Sequence, residues 1–255
     1  MTRSCAGRRS PDAMADRTQW WLCVVLVGLS AAAPLRVMAQ RAQRAQRAQR
    51  AQSARAWTDT FESRLEILAL TQTLNAEILA SSSATRSLEH WCRDHDMAAD
   101  PTIVARLVAG IEKAPADEQL QRLQVGSARE VRYRRVELRC GTHLFAEADN
   151  WYVPGRLTAE MNRLLETTDT PFGYVVQPLR PYRRTFAVTL LWSALPAGWE
   201  QQRRPEERSG DRARALALPK ELFEHQAILY SSDHQPFSEV DERYQGQLLA
   251  FARRR

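Results

Sequence analysis

Residues 131–154 read VRYRRVELRCGTHLFAEADNWYVP, and this stretch carries the clearest structural pattern of the chain. Apolar and polar residues alternate from Val131 to Leu138, as they do in a half-buried strand, and a second strand returns from Leu144 to Val153. Cys140-Gly141-Thr142 turns the chain between the two runs, and Pro154 ends the second one. The stretch therefore predicts a pair of antiparallel strands.

Helices are predicted before and after this pair in the sequence, because apolar residues recur there at helical spacing. Those before it are Trp57–Leu79, Thr85–His95 and a segment that runs from Asp100-Pro101 to Ile111. Asp100 and Pro101 are typical of a helix start, with the acid as N-cap and the proline in the first turn. Thr158 is predicted to cap a further helix after the pair.

The remaining strands are predicted in the second half of the chain. They are Tyr174–Gln177, Thr185–Trp192, Leu222–Tyr230 and Pro236–Tyr244, the last two forming a hairpin. Residues 201–214 are polar and charged and indicate an exposed loop. Helices followed by mostly antiparallel strands predict an α+β domain with helices packed on one face of an antiparallel sheet.

The first 56 residues are predicted to lie outside this domain. A short apolar run, Trp20–Ala33, follows several arginines and precedes Val37-Met38-Ala39, which is the layout of a secretory signal peptide. We expect a signal peptide over 1–39, a linker over 40–56 and the domain over 57–252. Cleavage after Ala39 would give an exported protein, periplasmic or secreted, and a retained membrane anchor is the alternative.

The positive charge of the chain is concentrated in the same region. Residues 1–56 contribute +8 to a total of +6, so the rest of the chain carries −2. This distribution argues against nucleic acid as a partner of the folded part. The Gln-Arg-Ala repeat over Gln40–Gln52 lacks large apolar residues, which indicates a charged linker. Contact of this repeat with an anionic membrane surface is its functional alternative.

Two cysteines, Cys92 and Cys140, remain once the signal peptide is removed. They could form one disulfide bond or stay as two separate buried thiols, and the sequence leaves both open. His90, Cys92 and His95 fit one helical face badly, so no metal site is expected.

Four short motifs, taken in order, resemble those of the chorismate lyase (chorismate pyruvate-lyase) family. They are Ser83-Ala84-Thr85, the strand Arg134–Leu138, the turn Thr170-Pro171-Phe172-Gly173 and the strand start Arg184-Thr185-Phe186. The string Glu147–Pro154 resembles an uncharacterised branch of that family more closely. The resemblance implies an antiparallel sheet with helices on one face and a ligand enclosed beneath helical flaps.

The resemblance also implies an activity. Chorismate lyases eliminate pyruvate from chorismate without a cofactor, leaving 4-hydroxybenzoate, a precursor in ubiquinone biosynthesis. We therefore expect a cofactor-free lyase acting on chorismate or a related aromatic carboxylate. The alternative is a non-catalytic envelope module that binds a small aromatic or cyclic carboxylate. The oligomeric state is left open.

The resemblance assigns Arg134 to the ligand carboxylate and implies a catalytic glutamate in the last hairpin. Strand alternation and the following Tyr244 favour Glu242 for this role, as general acid or as the partner of the ether oxygen. Arg134 shares a strand face with the apolar Val136 and Leu138, and a buried arginine without an anion is costly. Arg135 competes with Arg134, and Asp241 competes with Glu242. The further residues expected to bind substrate are Arg184, Ala84, Phe172 and Gly173.

Overall fold

The computed structural model describes residues 57–202 and 214–251. The predicted signal peptide and repeat linker lie outside the described residues, as does most of the loop predicted over 201–214. The described residues belong to one unit, Ala54–Arg255.

Six strands form one sheet within these residues. They are β1 (Ile103–Leu107), β2 (Arg132–Cys140), β3 (His143–Tyr152), β4 (Tyr182–Leu190), β5 (Glu221–Tyr230) and β6 (Pro236–Gln245). Their order in the sheet is β1-β2-β3-β6-β5-β4, and every neighbouring pair is antiparallel. The predicted strand pair is thus β2 and β3, and the predicted hairpin is β5 and β6.

The helices of the described residues are α1 (Phe61–Ala80), α2 (Ala84–Asp94), α3 (Asp117–Leu123), α4 (Ala159–Thr167) and α5 (Phe172–Val175). The main core lies between the sheet and α1, α2, α4 and α5. It includes Ile67, Leu74, Leu88, Met161, Val175, Val136, Ala148 and Val240. The predicted α+β class, an antiparallel sheet with the helices of the main core packed on one face, is confirmed.

The α3 helix lies on the other side of the sheet and was not predicted. Its Leu123 packs with Trp151 and Val153 in a second, smaller apolar cluster. Arg122 of the same helix donates two hydrogen bonds to Glu239 of β6. A helix this short has little intrinsic stability, so these tertiary contacts determine its formation.

The segment predicted as a helix from Asp100 to Ile111 forms strand β1 instead. Its alternation decides this: Ile103 and Ala105 are buried, whereas Val104 between them is exposed. The Asp100 carboxylate accepts hydrogen bonds from the backbone and hydroxyl of Thr102, which gives a local turn rather than a helix cap. The helical spacing of apolar residues was therefore coincidental.

The segment predicted as a strand over Tyr174–Gln177 is also wrong. Pro171 lies at the start of a single helical turn, in which the backbone N–H of Val176 donates to the carbonyl of Phe172 at 3.0 Å. A 3-10 turn, Gln177–Leu179, follows it. Short apolar runs of this kind are compatible with either structure, and packing decides between them.

Cys92 of α2 and Cys140 of β2 are joined by a disulfide bond, with Cα atoms 6.5 Å apart. This result decides between the two readings of the cysteines. Both residues are fully buried in the main core, so the bond connects the helical layer to the sheet.

Candidate functional site

A cavity of about 340 Å³ lies between the sheet and the loops that start α2 and α5. Its floor consists of residues that alternate along β2, β3 and β6 and therefore face the same side of the sheet. Register brings these residues together: Arg134 lies opposite Asn150, Asn150 opposite Val240, and Ala148 opposite Glu242. The sheet thus holds one arginine and one glutamate on the same wall of the cavity.

Arg134 is the cation of the floor, and it is only 5% exposed. Its Nε and Nη2 atoms are buried, and neither has a hydrogen-bond partner among the described residues. Burial lowers the pKa of this guanidinium, with Tyr152 and Asp169 acting in the opposite direction. A buried cation with unsatisfied donors is unfavourable on its own, so this side chain suits an anion that enters the cavity.

The two unpaired atoms of Arg134 form the side edge of the guanidinium. In Arg122, the same pair of atoms binds both carboxylate oxygens of Glu239, at 2.8 and 2.7 Å. Planar carboxylates match this edge with two parallel hydrogen bonds. Arg134 therefore presents to the cavity the geometry that binds a carboxylate elsewhere in the same molecule.

Glu242 faces the cavity from β6 and is 6% exposed. Its Oε2 atom lies 2.8 Å from Nη2 of Arg183 and accepts a hydrogen bond of 2.7 Å from the Tyr244 hydroxyl. Glu242 thus forms an ion pair with Arg183 and accepts one hydrogen bond, from Tyr244. Its charge is balanced by Arg183, which leaves the charge of Arg134 for another partner.

Asn150 and Ser238 contribute a polar pair to the cavity floor beside Arg134. The Ser238 hydroxyl donates to Oδ1 of Asn150 at 2.6 Å, and both side chains are buried. Because its oxygen is engaged, Asn150 can offer its amide N–H groups to a ligand. This pair could not be predicted from the sequence, since isolated Asn and Ser residues occur throughout the chain.

The cavity is closed by residues of the loops preceding α2 and α5. Gly173 approaches the α2 start so closely that a Cβ atom there would lie 3.2 Å from the Ser83 hydroxyl. Phe172 packs against Tyr152 with ring centroids 5.8 Å apart. Ala84, Phe172 and Gly173 all line the cavity.

The structure does not bring Arg184 into the cavity. It is exposed and lies opposite Ile228, whereas Arg183 lies opposite Leu229 and lines the cavity wall. Successive residues of a strand point to opposite faces, so a shift of one position exchanges the two arginines. The second arginine on the cavity wall is therefore Arg183, and not Arg184 as expected.

The same alternation places Arg134 and Arg135 on opposite faces of the sheet, and likewise Glu242 and Asp241. Arg135 lies on the far face of the sheet, where it pairs with Glu147 and Asp149. Asp241 is also on that face, and burial beside Glu224 raises its pKa to about 7. Neither Arg135 nor Asp241 lines the cavity.

Comparison with known proteins places this chain beside a bacterial relative. No family model matches the chain. The uncharacterized protein y4mC of Sinorhizobium fredii is 45% identical over 198 residues, which cover 76% of this chain and 81% of that protein. The chain belongs to the y4mC family.

Solved structures similar to this y4mC-family chain include domains of transcriptional regulators. The effector domain of PhnF from Mycobacterium smegmatis is 13% identical and covers 65% of this chain and 89% of its own, with a TM-score of 0.41. A GntR-family transcriptional regulator from Enterococcus faecalis is 11% identical, covers 59% and 99%, and has a TM-score of 0.36.

These findings correct the assignment to the chorismate lyase family. No family model of lyases or of any other kind matches, and the similar structures reported are regulators and their domains, not lyases. Two expectations that depended on that assignment are therefore also wrong: pyruvate elimination from chorismate and a role in ubiquinone biosynthesis. The alternative, a non-catalytic binding module, agrees better with the findings.

Two further expectations are corrected by the same structures. The exclusion of nucleic acid as a partner is withdrawn, since the similar structures reported above bear the names of transcriptional regulators. The prediction of a signal peptide and an exported protein is likewise not supported by them. Among the described helices, none has the length and apolar character needed to cross a membrane.

Proposed function

We propose that this domain binds a small carboxylate with a ring-shaped apolar body and does not transform it. The observation that carries the proposal is the buried edge of Arg134, whose Nε and Nη2 atoms lack partners among the described residues. The cavity wall also contains the apolar side chains of Val136, Leu138 and Val240. A cavity of about 340 Å³ is of the size that small ligands occupy.

The charge of the cavity supports an anionic ligand. Four arginines line its described wall, at positions 86, 134, 180 and 183, against the single carboxylate of Glu242. Since Arg183 balances Glu242, the remaining arginines give the site an excess of positive charge. Such a field attracts anions and raises their association rate.

Glu242 supplies a second point of recognition. Its Oε2 atom is engaged by Arg183 and Tyr244, and its other oxygen can accept a hydrogen bond from a ligand hydroxyl. A ring with a carboxylate at one end and a hydroxyl at the other would satisfy Arg134 and Glu242 together. We therefore expect 4-hydroxybenzoate to bind more tightly than benzoate.

The experiment is calorimetric titration of the full chain with both acids, using Arg134→Lys and Arg135→Lys. Lysine keeps the charge but loses the planar edge, so Arg134→Lys should weaken binding by about tenfold or more. Arg135→Lys is the matched control, because the side chain of Arg135 points away from this cavity and pairs with Glu147 and Asp149 on the other face of the sheet. Equal affinities for the parent and Arg134→Lys, or no binding of either acid by the parent, would contradict the proposal.

A further inference from the structure

A second cavity, of about 560 Å³, lies beside the first and shares Arg134 with it. It is formed by the chain that leaves β1, by the start of β2 and by α4. Its apolar wall includes Leu107, Val108, Val131 and Leu165. Arg134 therefore lines two cavities, one that extends along the sheet and one that extends toward α4, each with apolar and charged residues in its wall.

The other arginines that line the second cavity are engaged with acids. Arg132 forms an ion pair with Glu166, and Arg135 forms ion pairs with Glu147 and Asp149. Arg134 forms no ion pair among the described residues and has two buried N–H groups without an acceptor. An anionic group that enters from either cavity would therefore meet the same guanidinium.

From this juxtaposition we infer that the ligand is an α-branched carboxylate. Its carboxylate binds Arg134, a ring lies in the first cavity, and an apolar arm on the same carbon lies in the second. The inference rests on the proposed function, because it uses the same arginine as anchor. It goes further by stating the shape of the ligand: the acid group is at a branch point, not at the end of one chain.

Burial of the second arm has a measurable consequence. Each methylene removed from water contributes enough to raise affinity up to about fourfold. A four-carbon arm that lies against Leu107, Val108 and Val131 should therefore raise affinity by at least about tenfold, even if it is only partly buried. An arm that stays in solvent should leave affinity nearly unchanged.

The test compares phenylacetate with 2-phenylhexanoate, which adds a four-carbon arm at the α-carbon. Both are titrated into the full chain and into Val108→Trp, in which the indole fills the second cavity. Val104→Trp is the matched control, because Val104 is similarly apolar, is 43% exposed on β1 and lines neither cavity. Leu107→Trp fills the cavity from a second position, so the test does not depend on the folding of Val108→Trp alone.

We expect 2-phenylhexanoate to bind about tenfold or more tightly than phenylacetate in the parent and in Val104→Trp. The gain should disappear in Val108→Trp and Leu107→Trp, while phenylacetate binding persists there and shows that the variants are folded. Equal affinity of the two acids in the parent, or a gain retained in both cavity-filling variants, would overturn the inference alone. Failure of the parent to bind phenylacetate would overturn the proposed function with it.

Discussion

His225 connects the cavity wall to the helical layer and is fully buried. Its Nε2 atom lies 2.7 Å from Oδ1 of Asn75 in α1, so this nitrogen carries the proton. Burial lowers the pKa of His225 to about 4, and the charge of Arg183 adds to this effect. The imidazole is therefore neutral in the folded state at neutral pH.

This neutral histidine predicts a loss of stability in acid. Its pKa in the unfolded chain is near 6.5, above the folded value, so the unfolded state binds more protons between these limits. Stability from this residue is full above pH 6.5 and is lost as the pH falls toward 4. We expect a loss of roughly 2–3 kcal/mol between pH 7 and 4.5.

Urea unfolding at pH 7 and 4.5, with His225→Gln for comparison, measures this contribution. Glutamine keeps a donor for Asn75 but does not titrate, so the pH-dependent loss should be smaller in the variant by that amount. Asp241 has a pKa of about 7 in the fold, so its contribution to stability rises as the pH falls and opposes that of His225. Both proteins contain Asp241, so its contribution cancels in the comparison. The same loss in the variant would show that His225 is not the group responsible.

At the residue scale, the sequence predicted the kind of side chain at the site better than its position. Strand alternation placed Arg134 with Val136 and Leu138, and the structure has all three on the cavity wall. Arg184 was assigned from its place in a motif of the resemblance, and not from the direction of its side chain. Arg183 and Arg184 are successive residues of β4 and point to opposite faces, so an assignment that is off by one residue selects the arginine outside the cavity.

At the scale of elements, the disulfide joins α2 to β2. A bond that closes a loop of 48 residues restricts the unfolded chain, and it should stabilise the fold by roughly 3–4 kcal/mol. Replacing Cys92 and Cys140 together by serine should lower the free energy of unfolding by that amount. Urea unfolding of the oxidised parent and of the double variant checks this, and equal midpoints would contradict it.

Local pattern predicted some elements and failed for others. Helix α2 has a marked separation of apolar and polar faces, with Leu88, Trp91 and Cys92 turned inward, and its bounds were close to the predicted ones. The prediction for β1 failed because its five residues show mixed periodicity. Their pairing with β2 is what makes them a strand. Pairing between distant segments is not visible in the sequence of either one.

At the scale of the whole molecule, the motifs that resembled chorismate lyases predicted the fold class and not the family. Most of them mark backbone events, such as the Thr170–Gly173 turn and the start of β4. Any protein with this arrangement of strands needs such turns, so they say little about chemistry. The activity had to be argued from the side chains in the cavity.

Under the proposed function, Arg134 serves a ligand and not the stability of the fold. The measurement that tests it most directly is the free energy of unfolding of Arg134→Met, without ligand, beside Arg183→Met. A buried arginine without partners costs stability, so Arg134→Met should be more stable than the parent by roughly 1–3 kcal/mol, and should not bind benzoate. Arg183→Met leaves Glu242 buried without its cation and should be less stable by roughly 3–5 kcal/mol. A destabilised Arg134→Met would contradict the account, because it would give Arg134 a structural role.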